Sequence, residues 1–375
     1  MLWTGSASAA PHYPGSFVPN KTLDGLQKRV RATGAPMVAG CRPDAEACDP
    51  AAWKRIRAQM AKRAQNGPVR ILHLGDSHVA ADYITSRIRR DLQSVYGDGG
   101  RGFVHPDQAW GYGGRRVRKS EAWVRDRIVD GGRRIGRPYG FSGNRLTARK
   151  RGASVFYRVL PADRSVRLFF RPKAKSRVSV YLDKKKLGRF ELSDASAVVE
   201  IPLPERKPRR YRRGPAGNTL RIRADTAGAT LFGLSFEGKP SGLQYSSIGP
   251  VGADAKVYLQ LNQKSLRRHL RAYKPDMVVF MVGGNDALKI RKRWTTLAKV
   301  TEDHRRMLSA VKTALPDAEC VIWSPLLAGQ KRKGRVTSKR YLAEVRDMQR
   351  RVAREQDCTF WDTMAAMGGP ENTAR

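Results

Sequence analysis

The segment Gly75-Asp76-Ser77-His78 has the residue types of a nucleophilic turn. A short apolar run from Val69 to Leu74 precedes it, and helical spacing follows from Val79 to Val95, which predicts a strand, a tight turn and a helix. Glycine permits the sharp turn, which would place Ser77 at the start of the helix with its backbone N–H facing the same space. Alone, this segment is weak support for catalysis, because a Ser or Asp before a helix is more often a cap.

A second candidate loop, Gly283-Gly284-Asn285-Asp286, follows the apolar run from Met277 to Val282. Asn285 could donate a side-chain hydrogen bond to an oxyanion, whereas Asp76 and Asp286 are each expected to brace a turn. In an open parallel sheet, ligands bind beyond the carboxyl ends of the strands. The two loops are therefore expected to lie side by side, with a hydroxyl and an amide in one pocket.

The segments around these loops predict a parallel α/β sheet. Short apolar runs alternate with stretches of helical spacing, which favours parallel strands with helices on both faces. A basic helix is also expected at 51–64. The predicted strands are 69–74, 277–282, 320–323 and 359–361, and the predicted helices are 79–95, 257–273, 294–315 and 339–354.

Residues 115–238 have a period of two instead. Val178, Val180 and Leu182, for example, alternate with polar residues, and Gly and Pro separate the runs. Several short alternating strands predict an all-β sandwich inserted into the α/β domain. Its aromatic residues could bind sugars, although most are expected in the core. These residues are Phe156, Tyr157, Phe169, Phe170, Tyr181 and Tyr211.

Three sequence blocks resemble the first three signature blocks of the SGNH (GDSL-like) hydrolases: ILHLGDSH, SSIGPVGA and VVFMVGGND. The segments GDGGRGFVHP, GLQYSSIG and FWDTMAAMGG, with the sandwich, are similar to the branch that includes peptidoglycan O-acetylesterases. In that branch a carbohydrate-binding-type β-sandwich interrupts a three-layer, flavodoxin-like catalytic domain. The resemblance extends from about residue 67 to the end of the chain.

Patterns and resemblance together predict four segments. An extended leader, whose Ala-Ser-Ala-Ala stretch is similar to the end of a secretory signal, occupies 1–52. The SGNH domain is predicted in two parts, at 53–114 and 239–375, with the sandwich at 115–238 between them.

The resemblance implies that Ser77 attacks an acetyl carbonyl and forms an acetyl-serine intermediate. The Ser77 N–H, the Gly252 N–H and the Asn285 side chain would then stabilise the oxyanion. Gly249 is the alternative to Gly252, because the family usually has Asn before that glycine and this chain has Val251. The supporting residues implied are Gly75, Asp76, His78, Gly284 and Asp286.

The catalytic base departs from the family pattern. The family supplies it from an Asp-x-x-His block after the last strand, and this sequence contains no such block, its last histidine being His304. The sequence thus predicts a chain that stops before its base, so activity of this chain does not follow from the resemblance. His78 is expected to point away from Ser77, and His73 and His304 to be buried. The histidines left without a role are His12, His105 and His269.

The net charge of +40 predicts attraction to a polyanion or an anionic surface. Residues 115–240 contain 33 Lys or Arg and 11 Asp or Glu, so the sandwich carries much of this charge. Zinc-finger spacing, a basic zipper and an RNP-like aromatic pattern are all absent from the sequence, so nucleic acid is not the expected partner. No metal-ligand spacing occurs in the sandwich either, and we expect neither a catalytic metal nor a cofactor.

The cysteines and the apolar runs bear on the compartment. Cys41 and Cys48 could form a short-loop disulfide in an oxidising compartment, whereas Cys320 and Cys358 are expected to be buried thiols. No apolar run is long enough to span a bilayer. We expect a protein of the periplasm, the cell envelope or the secreted fraction.

The sequence favours an esterase that removes O-acetyl groups from a cell-wall or other polysaccharide. One alternative is a non-catalytic glycan-binding protein on the same scaffold. A polysaccharide O-acetyltransferase is the other, because it would share the acetyl-serine intermediate.

Overall fold

The computed structural model describes residues 50–107, 118–130, 136–205, 218–332 and 335–367. Nearly all of the predicted leader at 1–52 lies outside these ranges, as do Cys41, Cys48, His12 and Tyr211.

Helices and strands are numbered here along the chain. The strands are β1 Pro68–Gly75, β2 Gly102–Val104, β3 Arg118–Lys119, β4 Trp123–Arg127, β5 Asn144–Ala148, β6 Ser154–Val159, β7 Ser165–Phe170, β8 Arg177–Leu182, β9 Lys185–Glu191, β10 Val198–Pro202, β11 Asn218–Ala224, β12 Thr230–Glu237, β13 Gly242–Ile248, β14 Met277–Met281, β15 Glu319–Trp323, β16 Gly329–Arg332, β17 Arg335–Ser338 and β18 Thr359–Trp361. The α-helices are α1 Pro50–Asn66, α2 Ser77–Ala80, α3 Tyr83–Tyr96, α4 Ala255–Leu259, α5 Gln263–Tyr273, α6 Gly284–Arg291, α7 Leu297–Ala314, α8 Leu342–Glu355 and α9 Thr363–Ala366.

Five parallel strands form the sheet that carries both candidate loops, in the order β13-β1-β14-β15-β18. Side chains of β1 alternate between its two faces. Leu72 and Leu74 belong to one hydrophobic core, and Val69 and Ile71 to another that includes Ile56 of α1. Helices cover both faces, as the alternating sequence pattern predicts, and the predicted α/β fold class is confirmed.

Two predicted helices are interrupted where the chain turns. The segment 79–95 is divided between α2 and α3, and 257–273 between α4 and α5. At the second break, the Asn262 side chain accepts a hydrogen bond from the Ser265 N–H and caps α5. The hydrophobic spacing continues across both breaks, which is why periodicity alone predicts single helices.

Two antiparallel sheets form the β-sandwich. One has the order β10-β7-β12-β5-β4, and the other β3-β6-β11-β8-β9. Inward-facing residues such as Leu168 and Leu234 of the first sheet, and Val180 and Ile222 of the second, share one core. The short strand β2, which precedes the predicted boundary at 115, pairs with β12. The positions of the domain boundaries remain a prediction.

The sandwich and the α/β domain meet in a buried junction. Phe103 of β2 and Phe169 of β7 contact Tyr273 of α5, with ring centroids 6.2 and 6.0 Å from that of Tyr273. Beside them, Arg70 of β1 forms a 3.0 Å ion pair with Glu237, the last residue of β12. Hydrophobic packing and charge therefore both join the two domains.

A disulfide links Cys320 and Cys358, so the prediction of buried thiols at these positions is wrong. The residues that follow the two cysteines, Val321 and Thr359, lie opposite each other on β15 and β18. That register brings the cysteines to a Cα–Cα distance of 4.8 Å, within the range for a disulfide. Their separation of 38 residues in sequence gives no sign of this proximity. Within the described ranges, no helix is both long and apolar enough to cross a membrane.

Candidate active site

A tight turn after β1 places Ser77 at the first position of α2. A Cβ on Gly75 would lie 2.3 Å from the Val79 side chain and 2.8 Å from the Met281 carbonyl oxygen, so only glycine fits. The Asp76 carboxylate caps α2 by accepting a 2.9 Å hydrogen bond from the His78 N–H. The close packing at Gly75 and the Asp76 cap thereby fix a sharp turn between β1 and α2, and Ser77 lies at this turn.

Ser77 is partly exposed. Its hydroxyl makes no hydrogen bond to another residue in the described part of the chain, and its carbonyl accepts a bond from the Ala81 N–H. As the first residue of a helix, Ser77 has a backbone N–H without a partner inside that helix. Both the hydroxyl and this N–H can therefore serve a ligand.

Asn285 is the residue that joins the two candidate loops. Its Nδ2 donates a 2.8 Å hydrogen bond to the carbonyl of Ala253 and lies 3.5 Å from Oδ2 of Asp76. These contacts bring together the ends of β1 and β14 and the loop that follows β13. Asn285 thus lies beside the turn that carries Ser77.

The two candidate oxyanion glycines have different surroundings. A Cβ on Gly249 would lie 2.1 Å from the Asp76 carbonyl oxygen and 2.4 Å from the Ala80 nitrogen, so this glycine lets the β13 loop pack against the Ser77 turn. Gly252 has φ +85°, and no atom lies within 4 Å of a Cβ built there. Of the two, Gly252 has the open space that a substrate would need.

Asp286 is a buried carboxyl group, 2% exposed, directly after Asn285. Burial, reinforced by the carboxylate of Asp254, raises its pKa to about 8. Asp254 in turn pairs with Lys289 and caps α4. The backbone N–H of Ala255 donates to Asp286, so the Asp286 carboxyl ties α6 to the first residue of α4.

Only one described histidine is exposed, and it borders the candidate site. The Nδ1 atom of His78 lies 2.9 Å from Oδ1 of Asp76, and this hydrogen bond raises the pKa of His78. His73 is buried, which lowers its pKa to about 3, and its Nδ1 lies 2.6 Å from the Tyr245 hydroxyl. Its place in the core agrees with the sequence expectation.

The other described histidines make contacts typical of the protein interior. Burial lowers the pKa of each, to about 4 for His105. His304, for example, lies 3.0 Å from the Val300 carbonyl through Nδ1 and 3.1 Å from Gln349 Nε2 through Nε2. That glutamine donates a hydrogen bond to the Val282 carbonyl, just before the Asn285 loop, so His304 and Gln349 help to fix the position of the loop.

A cavity of about 250 Å³ opens beside Asn285. Asp76 and His78 line it, although Ser77 itself does not. The apolar part of the lining includes Met281, Val282, Leu288, Leu326 and Leu327, and the cationic part is Arg291, Lys339 and Arg340. Among the described residues, no group of three or more His, Cys, Asp or Glu is placed to hold a metal ion.

Two further contacts near the site have no indication in the sequence. The Tyr258 hydroxyl, buried in the core, donates a 2.7 Å hydrogen bond to the Gly75 carbonyl, across 183 positions of the chain. A Cβ on Gly283 would lie 2.7 Å from Pro325, so the Asn285 loop is closed by the segment after β15. Neither contact has a local sequence signal, because each depends on the packing of distant segments.

The parallel sheet, with the candidate loops at its carboxyl edge, has an SGNH-like fold. Residues 242–375 match the model of the GDSL-like Lipase/Acylhydrolase family, which confirms the resemblance noted in the sequence. A solved structure of a peptidoglycan O-acetylesterase has the same fold. It is 22% identical over 84% of this chain and 84% of its own chain, with a TM-score of 0.64.

Two other solved structures match over smaller parts. A putative GDSL-like lipase from Parabacteroides merdae is 20% identical over 32% of this chain and 53% of its own, with a TM-score of 0.24. An acetyl-xylooligosaccharide esterase from Geobacillus is 18% identical over 33% and 56%, with a TM-score of 0.26. At these TM-scores the likeness supports no inference about this chain. No curated protein sequence gives a significant match.

Proposed function

We propose that this protein is a serine esterase that removes O-acetyl groups from a cell-wall or other polysaccharide. The observation that carries the proposal is the position of Asn285, whose amide Nδ2 lies 3.5 Å from the carboxylate of Asp76, the residue before Ser77. The Ser77 hydroxyl, which has no hydrogen-bond partner among the described residues, and the Asn285 amide thus lie in neighbouring loops at the carboxyl edge of one sheet. Acyl transfer to serine requires both groups in one place.

In this proposal Ser77 attacks the acetyl carbonyl and releases the sugar hydroxyl, and water then hydrolyses the acetyl-serine. The Ser77 N–H, the Gly252 N–H and the Asn285 amide would donate to the oxyanion. One Asn285 hydrogen is held by Ala253 at 2.8 Å, which fixes the amide plane, and the other is directed to Asp76 at the longer distance of 3.5 Å, a weak bond that an oxyanion would replace. Each such donor contributes about 3 kcal/mol of transition-state stabilisation.

The nucleophile also needs a base to accept its proton. We assign that role to none of the described histidines. His78 is held by Asp76 through Nδ1, and His73, His105, His269 and His304 are buried within the core. The proposal therefore assigns the nucleophile and the oxyanion donors and no base.

The polysaccharide substrate is supported by the fold shared with the peptidoglycan O-acetylesterase. The disulfide between Cys320 and Cys358 fits an oxidising compartment, since disulfides rarely persist in a reducing cytosol. Both observations support a place in the periplasm, the cell envelope or the secreted fraction.

Turnover of 4-nitrophenyl acetate and acetate release from O-acetylated peptidoglycan test the proposal. We expect Ser77→Ala to lower the rate at least about a thousandfold and Asn285→Ala about a hundredfold. Ser94→Ala removes an exposed hydroxyl on α3 and is the matched control. Full activity of Ser77→Ala would refute the esterase proposal.

A glycan-binding protein without catalysis is the second candidate, favoured by the burial of every described histidine except His78. It predicts glycan binding that is unchanged in Ser77→Ala, with no acetate released by either protein. An O-acetyltransferase would instead release little acetate and transfer the acetyl group to an added sugar acceptor.

A further inference from the structure

A single row of side chains crosses the second sandwich sheet. In the strand register, Arg118 of β3 lies opposite Phe156 of β6, and Phe156 lies opposite Arg221 of β11. Arg221 in turn lies opposite Tyr181 of β8, and Tyr181 opposite Lys186 of β9. These five residues form the cation–aromatic row, in which cations and rings alternate across all five strands.

The row is on the outer face of the sandwich. Its neighbours along the strands, such as Val155, Val180 and Ile222, point into the sandwich core. In contrast, Arg118 and Lys186 are exposed, and Phe156, Arg221 and Tyr181 are partly exposed. Phe156 and Tyr181 are thus outside the core that sequence analysis expected for most of the sandwich aromatics, whereas Tyr157, Phe169 and Phe170 are buried.

The rings hold the guanidinium groups in place. The Arg221 guanidinium carbon lies 4.1 Å from the centroid of Tyr181, and that of Arg118 lies 5.2 Å from the centroid of Phe156. A guanidinium that stacks on a ring keeps its N–H groups available at its edge for a carboxylate. The stacked arginines are therefore ordered donors rather than freely moving side chains.

The charges of the row are not neutralised within the described part of the protein. On the same sheet, Arg189 and Arg223 both pair with Asp225. Arg118, Arg221 and Lys186, by comparison, have no carboxylate partner among the described residues. The sheet thus separates internally paired cations from a line of cations that an external anion can reach.

We propose that the cation–aromatic row is a docking surface for an acidic polysaccharide chain that lies across the strands. Its cations occur on every second strand, so they are spaced by about 10 Å. This spacing suits an extended glycan with one carboxylate in every disaccharide. Duplex DNA presents phosphates at about 3.4 Å intervals along each strand, a much denser pattern than the row. The surface is separate from the Ser77 site, and binding to it requires no turnover.

The test is binding of fluorescent hyaluronate oligosaccharides to the full chain, measured by fluorescence anisotropy at several salt concentrations. Hyaluronate is used as the probe because every second sugar carries a carboxylate. In the row variant Arg118→Gln/Lys186→Gln/Arg221→Gln we expect about a tenfold loss of affinity and a shallower salt dependence. The single variant Arg221→Lys keeps the charge and should still lose affinity, because lysine cannot present a stacked planar fork.

The matched control is Lys54→Gln/Lys264→Gln/Arg306→Gln, which removes three exposed cations from α1, α5 and α7 and has the same net charge as the row variant. Circular dichroism and melting temperatures establish that both variants are folded. An equal loss of affinity in the control would overturn the proposal, because it would assign binding to overall charge. Tighter binding of a single-stranded oligonucleotide than of hyaluronate, lost in the row variant, would overturn the choice of occupant.

Discussion

The buried carboxyl of Asp286 predicts a large pH dependence of stability. Its pKa is raised from 3.8 to about 8 by burial and by Asp254. Because the folded state holds this proton to a higher pH than the unfolded state, the resulting stabilisation is complete below about pH 4. It is lost as the pH rises towards about 8. The slope is about 1.4 kcal/mol per pH unit while only the unfolded state releases the proton.

Asp286→Asn removes this dependence with little change of shape. The amide oxygen can accept the backbone hydrogen bonds of Asp286 and Ala255, and the amide nitrogen takes the place of Oδ2, which has no hydrogen-bond partner among the described residues. Between about pH 5 and about pH 7, the free energy of unfolding of the wild type relative to this variant should fall by about 3 kcal/mol.

Urea unfolding of both proteins at the two pH values measures this difference. Asp317→Asn, at an exposed position, is the matched control and should show almost no change with pH. A constant difference between the wild type and Asp286→Asn at both pH values would show that the carboxyl is ionised throughout, and the argument from burial would fail.

Three other changes test the architecture of the site. Gly249→Ala should destabilise the protein by several kcal/mol, because its Cβ would lie 2.1 Å from the Asp76 carbonyl oxygen. Gly252→Ala should cost only about 1 kcal/mol, for its positive φ. Equal losses of stability on urea unfolding would contradict the conclusion that Gly249 is tightly packed and Gly252 is not. Tyr258→Phe removes the hydrogen bond to the Gly75 carbonyl and should lower the free energy of unfolding by about 1 to 2 kcal/mol, with a lower melting temperature. An unchanged melting temperature would show that this hydrogen bond does not stabilise the turn. Reduction of the Cys320–Cys358 disulfide should lower the free energy of unfolding by about 2 to 4 kcal/mol, which urea unfolding with and without dithiothreitol measures. The stability of the variant Cys320→Ser/Cys358→Ser should not change when dithiothreitol is added.

Local patterns in the sequence were sufficient for the fold class. The apolar run that contains Met277–Met281 predicts a buried parallel strand because five consecutive residues are covered on both faces, and all five are buried. The alternation in Arg177–Leu182 predicts a strand with one face in a core, as observed. In both segments the signal lies within a few consecutive residues.

Long-range pairings could not be predicted in the same way. β2 has only three residues, and its pairing with β12 depends on a strand more than a hundred positions later. The contact between Asn285 and the Asp76 turn was expected from the rule that ligand sites lie at the carboxyl edges of parallel strands, whereas the Tyr258 bond to Gly75 had no comparable rule. The catalytic roles of Ser77, Gly252 and Asn285 remain predictions.

The junction between the domains has a mechanical consequence. Tyr273 stacks against Phe103 and Phe169, and the ion pair of Arg70 with Glu237 is largely shielded from water, so relative rotation of the domains would break aromatic packing and separate two buried charges. The packed interface therefore holds the sandwich in one orientation on the α/β domain, unlike a domain attached only by a flexible linker. A polymer bound to the sandwich would meet the carboxyl edge of the parallel sheet at one fixed angle and distance, so that only some positions along the polymer could reach the candidate site.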